Sequence, residues 1–196
     1  MAWAPIALFG DHHASAGPCP DVEVVSARGT DEPPGPGSIG QAFIDSLRPE
    51  IPGRSLEVYA VVFPATADLV RSSSAGADDA RARVQSTVAN CPNTRIVLSG
   101  YSQGAYVIDT TTDQLPPEVA DHVAAVALFG NPKSKFASTL VAGQLHTLSP
   151  LYRPKTIDLC IPDDPICSEG TNEAAHHLYD QNGMTNQAAT FVAQKL

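Results

Sequence analysis

A chain of 196 residues is long enough to bury one sizeable hydrophobic core, and we expect a single domain. Its formal net charge is −9, with only 12 lysines and arginines, which excludes strong attraction to nucleic acid or to an anionic membrane. No apolar run approaches the roughly 18 residues that span a bilayer, so we predict no transmembrane segment and at most peripheral contact with lipid.

The first 17 residues stand apart from the predicted domain. They begin with an apolar stretch that lacks a basic amino-terminal region, and Ala14, Ser15 and Ala16 have the small-residue form of a signal-peptidase site. A leader remnant and a flexible amino-terminal arm explain this segment equally well. We therefore assign the domain to residues 18–196.

Strand and helix patterns alternate along the rest of the chain. We predict strands over residues 22–27, 56–63, 95–99, 123–129 and 155–160, and helices over 38–48, 78–90, 104–114, 118–122 and 185–195. The small-residue stretch 72–76 and the connection before the last strand are predicted to be irregular. Alternation of this kind requires right-handed crossovers. The sequence therefore predicts a three-layer α/β sandwich with a central five-stranded parallel sheet.

The clearest catalytic motif follows the third strand. Ser102 stands between Gly100 and Gly104, directly before a helical pattern. Between a strand and a helix this spacing gives a nucleophile elbow, a turn so tight that only glycine fits beside an exposed serine hydroxyl. An ordinary glycine-rich turn could contain the same pentapeptide, but the flanking strand and helix favour the elbow. We predict that Ser102 is the nucleophile of a serine hydrolase.

A serine nucleophile requires a histidine base oriented by a carboxylate, and in this class the chain order is Ser, then Asp or Glu, then His. His122 precedes the fourth strand and His146 precedes the fifth, so neither is placed for this role. His176 and His177 lie between the last strand and the last helix. The base is expected at one of these two positions.

Two adjacent aspartates, Asp163 and Asp164, directly follow the fifth strand. We expect one to point inward and the other to water, because two charges facing one another would be costly. A solvated turn is the alternative for both. Asp158, within the strand, is interpreted as a buried or edge polar residue.

The four cysteines permit three pairings, and an even count is typical of disulfides in an oxidising compartment. Spacing favours a small loop between Cys160 and Cys167, which leaves Cys19 to pair with Cys91. A zinc site is the rival interpretation, but neither a Cys-x-x-Cys pair nor two histidines separated by three to five residues support it. We predict neither a metal nor an organic cofactor.

Four blocks of sequence together resemble the cutinase family, and most closely the secreted cutinase-like esterases of mycobacteria and other actinobacteria. The blocks are Arg28-Gly29-Thr30, Gly100-Tyr101-Ser102-Gln103-Gly104, Asp163-Asp164-Pro165-Ile166-Cys167 and Ala175-His176-His177-Leu178-Tyr179. The resemblance covers about residues 18–196 and implies the α/β-hydrolase fold. By position it implies Ser102 as nucleophile, Asp164 as acid and His176 as base.

The same resemblance implies further site residues. Backbone amides of Thr30 and Gln103 would form the oxyanion hole, and the disulfides would be Cys19–Cys91 and Cys160–Cys167.

A secreted or cell-wall-associated monomer is implied, which hydrolyses short- to medium-chain acyl esters, with lipids and polyesters among the candidate substrates. Phospholipase A activity and acyl transfer to glycolipids are alternatives within the class. A largely non-catalytic secreted binding or antigenic domain is the alternative outside it.

Overall fold

The computed structural model describes residues 18–196, so the interpretation of residues 1–17 as a leader remnant or arm lies outside the described residues. Five strands form one parallel sheet in the order β2-β1-β3-β4-β5. They are β1 (Val22–Ala27), β2 (Leu56–Ala60), β3 (Arg95–Tyr101), β4 (Val123–Phe129) and β5 (Thr156–Leu159). The helices are α1 (Ser38–Leu47), α2 (Leu69–Asn90), α3 (Gln103–Gln114), α4 (Lys135–Leu140) and α5 (Met184–Ala193). Single 3₁₀ turns occupy Arg48–Glu50, Pro117–His122, Arg153–Lys155 and Glu173–His177.

The helices cover both faces of the sheet. Helices α1 and α5 pack together on one face, and α2 and α3 pack together on the other. Strands β1 and β4 are buried along their whole length. The sequence of β4 is continuously apolar, as such burial favours, whereas β1 also buries Glu23 and Ser26. The predicted three-layer α/β sandwich with a five-stranded parallel sheet is confirmed.

Helix α2 corrects the prediction that residues 72–76 are irregular. It begins at Leu69, nine residues before the predicted start at Asp78, and the side chain of Asp68 caps it. Its small residues form the contact with α3: a Cβ atom at Gly76 would lie 2.9 Å from Cγ2 of Val107. Serine and glycine, which disfavour an isolated helix, are used here because they let two helices approach closely.

Other differences concern the ends of elements and one unpredicted helix. Strand β2 ends at Ala60, three residues before the predicted end, and β3 continues to Tyr101, up to the elbow itself. Helix α4 lies in the connection that was predicted to be irregular, and the Ser134 side chain caps it by accepting from the Ala137 N–H. Six residues are too few for a clear helical period.

The four cysteines form two disulfides with the predicted pairing. Cys19 and Cys91 connect the chain before β1 to the end of α2. Cys160 and Cys167 close the loop that follows β5. Over residues 18–196, none of the helices combines the length and hydropathy of a membrane span. The same range holds no cluster of three histidine, cysteine or acidic side chains arranged for a metal ion.

Candidate active site

The elbow after β3 presents Ser102 at the carboxyl edge of the sheet. Ser102 adopts φ 55° and ψ −118°, in a region that is costly for a residue with a side chain. Glycine is required on both sides. A Cβ atom at Gly100 would lie 2.3 Å from the carbonyl oxygen of Gly104, and one at Gly104 would lie 1.9 Å from that of Ala27. The motif is therefore explained by close approach of the backbone.

Ser102, His176 and Asp164 form a continuous chain of hydrogen bonds. Nε2 of His176 lies 2.8 Å from Oγ of Ser102, and Nδ1 lies 2.7 Å from Oδ2 of Asp164. Asp164 is fully buried, and the His176 side chain is 11% exposed. The arrangement can move a proton from the serine hydroxyl to the imidazole while the carboxylate holds the ring in place.

The other candidate histidines lie elsewhere. His177 places Nδ1 3.3 Å from the hydroxyl of Tyr101. His146 packs its ring against Tyr106, and His122 ends the 3₁₀ turn before β4, at the opposite edge of the sheet.

The Asp164 carboxylate is held by three donors. Its Oδ2 accepts from His176 and, at 2.6 Å, from the Tyr179 hydroxyl, while its Oδ1 accepts from the Ile166 N–H at 2.8 Å. Burial raises the pKa of Asp164, but the hydrogen bonds from His176, Tyr179 and Ile166 outweigh burial, and the pKa is lowered overall. Its neighbour Asp163 is exposed and accepts from the Thr171 N–H. As predicted, one aspartate of the pair points inward and the other outward.

Thr30 and Gln103 both line the cavity beside Ser102. Gln103 is the first residue of α3, so its backbone N–H cannot be used inside the helix. The Thr30 hydroxyl donates to Oε1 of Gln103, and Nε2 of Gln103 donates to the Thr66 carbonyl. These contacts connect the loop after β1 to the start of α3.

The loop that carries Thr30 is held by two charged side chains, the buried Arg28 and the half-buried Glu32. The Arg28 guanidinium donates to the carbonyl oxygens of Glu32 and Phe63, and its plane lies over the Phe63 ring. The Glu32 carboxylate accepts from the Gly29 N–H at 2.7 Å. These contacts hold the loop in place where Thr30 lines the cavity.

A cavity of about 230 Å³ opens beside the serine. Its walls come from four parts of the chain, namely α2, α3, the stretch around α4 and the loop after β5. Its lining beyond Thr30, Ser102, Gln103 and His176 comprises Leu69, Ser73, Tyr106, Pro132, Ala137, Leu140, Val141 and Ile166. Most of these residues carry no motif, and α4 was not predicted.

Two further residues in contact with the site were missed. Gly130 has φ 57°, and a Cβ atom there would lie 2.9 Å from Cε1 of His176, so glycine leaves room for the imidazole ring. Tyr179 is fully buried against Asp164. The spacing between His176 and Tyr179 was part of the resemblance, but only the fold shows the contact with the carboxylate.

A second polar cluster lies beside a larger cavity of about 500 Å³. The side-chain amide of Asn131 donates to Asp109 at 3.0 Å and to Asp158 at 3.1 Å, and Lys133 pairs with Asp158. Asp158 is thus a partly buried polar residue, as interpreted from the sequence. Asp109 is only 3% exposed, and burial raises its pKa to about 7, against the lowering effect of Asn131.

Wild type is expected to lose stability as the pH rises from 5 to 8, and Asp109→Asn is expected to abolish this loss. The folded chain holds this proton up to about pH 7, whereas an unfolded aspartate loses it near pH 3.9, so the free energy of unfolding falls as the pH rises through that window. Across this window the free energy of unfolding falls by at most about 4 kcal/mol. Asparagine can still accept from Asn131. Urea unfolding of both proteins at pH 5 and pH 8 measures the effect.

The exposed Asp113→Asn, on the same helix, is the matched control and should leave the pH dependence of wild type unchanged. A wild-type protein that gains stability between pH 5 and pH 8 relative to Asp109→Asn would contradict the prediction.

A parallel sheet with helices on both faces and a serine on a strand-to-helix elbow defines the α/β-hydrolase class. Within that class, the pattern that describes the family Cutinase matches residues 18–196. The chain belongs to the cutinase family.

Known relatives agree with this assignment. The chain is 59% identical to "Carboxylesterase Culp1" of Mycobacterium tuberculosis, over 95% of this chain and 87% of that protein. It is 48% identical to "Phospholipase Culp4" of the same species, over 93% of this chain and 81% of that protein. The solved structure "Trichoderma reesei cutinase in complex with a C11Y4 phosphonate inhibitor" is 31% identical and superimposes with a TM-score of 0.72, over 91% of this chain and 77% of that one. The protein is a carboxylic ester hydrolase.

Proposed function

We propose that the protein is a secreted serine esterase that hydrolyses short- to medium-chain acyl esters through Ser102, His176 and Asp164. The observation that carries the proposal is the continuous set of hydrogen bonds from Oγ of Ser102 through His176 to the buried carboxylate. The proposed active unit is a monomer, since the proposed reaction uses no group from a second copy of the chain. The two disulfides support an oxidising, extracellular compartment.

The first half of the reaction forms an acyl-enzyme. Oγ of Ser102 attacks the ester carbonyl carbon while Nε2 of His176 takes the hydroxyl proton. The carbonyl oxygen becomes an oxyanion, and the backbone N–H groups of Gln103 and Thr30 bind it. Each such donor contributes about 3 kcal/mol to the transition state. His176 then gives its proton to the departing alkoxide, and the alcohol leaves.

The second half returns the free enzyme. Water attacks the acyl carbonyl carbon and gives a proton to Nε2 of His176, and a second oxyanion forms in the same place. Collapse of this intermediate breaks the bond to Oγ, which regains its proton from His176. Asp164 stays ionised throughout and stabilises the imidazolium that forms twice in each cycle.

The volume of the cavity beside Ser102 supports an upper limit on the length of the acyl chain. Its volume of about 230 Å³ is below the range of roughly 300–1,000 Å³ that is typical of sites for larger ligands. Its walls are mainly apolar, so an alkyl chain gains free energy there by leaving water. Short and medium acyl chains fit this space better than long ones.

A p-nitrophenyl ester series from acetate to palmitate tests the proposal, and we expect the largest kcat/KM between butyrate and octanoate. Ala137→Val narrows the cavity and should lower kcat/KM for the octanoate ester by about tenfold, while kcat/KM for the acetate ester changes little. The matched control is Ala82→Val, at an exposed position on α2. A maximum at palmitate, or an equal loss on every ester, would refute the limit.

Phospholipase A activity is the second candidate. The relative named "Phospholipase Culp4" supports it, as do Phe136 and Leu140 on α4, which are 52% and 44% exposed. Leu140 also lines the cavity. Release of fatty acid from phosphatidylcholine vesicles at a rate comparable with that on p-nitrophenyl octanoate would favour this activity.

A further inference from the structure

The buried Tyr179 hydroxyl has a defined direction of donation. It lies 2.6 Å from Oδ2 of Asp164, 3.2 Å from the backbone nitrogen of Ile161 and 3.3 Å from Sγ of Cys167. The Ile161 N–H can only donate, so the phenolic oxygen accepts from it. The sulfur is part of a disulfide and has no proton to give. The Tyr179 proton is therefore donated to Asp164.

Tyr179 donates to the same carboxylate oxygen that accepts from the imidazole of His176. Oδ2 of Asp164 accepts both from Tyr179 and from Nδ1 of His176, whereas Oδ1 accepts from the Ile166 N–H. The two donors on Oδ2 share one centre of negative charge. A hydrogen bond to a carboxylate stabilises its charged form and makes it less basic.

We propose that Tyr179 is a positioning residue for the esterase reaction, which weakens the attraction of Oδ2 of Asp164 for the proton on Nδ1 of His176. The inference rests on the catalytic roles proposed above for Ser102, His176 and Asp164. Tyr179 itself touches neither the cavity nor the serine. It acts through the carboxylate that orients the base.

Tyr179 is suited to this task because it stays protonated. Burial raises its pKa, and the hydrogen bond to the charged Asp164 raises it further, so the phenol remains a donor above the pH at which a free tyrosine ionises. The hydroxyl is fixed by packing, since the Tyr179 ring lies edge-on to Phe129 and to His176. A rigid, permanently protonated donor supplies a constant electrostatic effect.

Other titratable groups surround the pair but contact it differently. The Tyr101 ring lies beside His176, and its hydroxyl donates to the His176 backbone carbonyl at 2.7 Å rather than to Asp164. His177 places its ring 5.6 Å from that of His176. The charges of Glu32 and Asp180 act on Tyr101. Among these groups, Tyr101 offers a matched comparison, a buried phenol of the same site with a different acceptor.

The test is the pH profile of kcat/KM for p-nitrophenyl butyrate, whose acid limb reports protonation of the catalytic base. Tyr179→Phe leaves more negative charge on Oδ2 for the imidazolium, so the acid limb should move to higher pH by about 0.5 to 1 unit. Tyr101→Phe removes the same atom from the neighbouring ring and should leave the limb where it is. A merely structural role would lower kcat/KM equally at every pH.

A second substitution covers the case in which Tyr179→Phe does not fold. Site-specific 2,3-difluorotyrosine at position 179 keeps the shape of the side chain but gives a more acidic phenol, which donates more strongly. The acid limb should then move to lower pH. An unmoved limb in a folded variant, or movement in the opposite direction, would overturn the inference.

Ser102→Ala, measured beside these variants, separates the two proposals. If wild type is active, Ser102→Ala is inactive and the limb does not respond to position 179, then only the role of Tyr179 fails. If Ser102→Ala retains wild-type activity, the proposed mechanism itself fails.

Discussion

Ser102→Ala is expected to abolish ester hydrolysis, with kcat for p-nitrophenyl butyrate falling by at least about 10⁴-fold. The substitution removes the only atom proposed to bond to the acyl group. Alanine occupies the elbow at the same backbone angles, so the fold should be retained. Initial rates, together with stoichiometric labelling of wild type by an organophosphonate, measure the loss.

Ser99→Ala is the matched control for this experiment. Ser99 lies three residues earlier in β3, is fully buried and belongs to neither the cavity nor the proposed reaction. Its variant should keep wild-type kcat and react with the phosphonate. Labelling of Ser102→Ala to the same extent as wild type would show that another residue is the nucleophile. Failure of folded wild type to react would favour the binding-domain alternative.

His176→Ala should lower kcat by at least about 10³-fold, whereas His177→Ala should retain most of the activity. The reason is geometric, because Nε2 of His176 lies 2.8 Å from Oγ of Ser102 and the adjacent imidazole contacts Tyr101 instead. Without the base, the serine hydroxyl has no group to take its proton. Rates on the same ester, measured at several pH values, compare the two variants.

Adjacent histidines make this a sharp comparison, since each variant is the control for the other. Both side chains come from the same 3₁₀ turn, so loss of local structure would affect the two proteins similarly. Activity that survives in His176→Ala and disappears in His177→Ala would transfer the role of base to His177. Equal loss in both would indicate damage to the turn.

Much of the fold could be predicted from the sequence, because its strands are strongly apolar. Strands β1 and β4 begin and end as predicted, since a strand buried on both faces is rich in apolar residues, which only Glu23 and Ser26 interrupt in β1. The end of β2 and the start of α2 were not predicted. Small residues such as Ser73 and Gly76 have low helix propensity in isolation, and their packing against α3 exists only in the folded chain.

Part of the candidate site could also be predicted from the sequence, and part could not. Ser102 could be chosen from its motif, because the elbow imposes glycines on its neighbours. Chain order narrowed the acid and the base to two adjacent aspartates and two adjacent histidines, and the family resemblance pointed to Asp164 and His176. The cavity wall from α4, the space above Gly130 and the donor at Tyr179 could not be chosen in this way. These features depend on atoms that are distant in the chain and become neighbours only on folding.

The sequence by itself determined the class of protein and the candidate nucleophile, since each leaves a local pattern of residue types and spacing. The spacing of the cysteines favoured the pairing that the structure shows. Only the tertiary structure decided which histidine forms the hydrogen bond with Ser102 and which hydroxyl donates to Asp164. His176 and His177 are identical in type and adjacent in the chain. Their contacts distinguish them, because the His176 ring fits over Gly130 and beside the Tyr101 ring, where it reaches Ser102. His177 instead places Nδ1 near the Tyr101 hydroxyl.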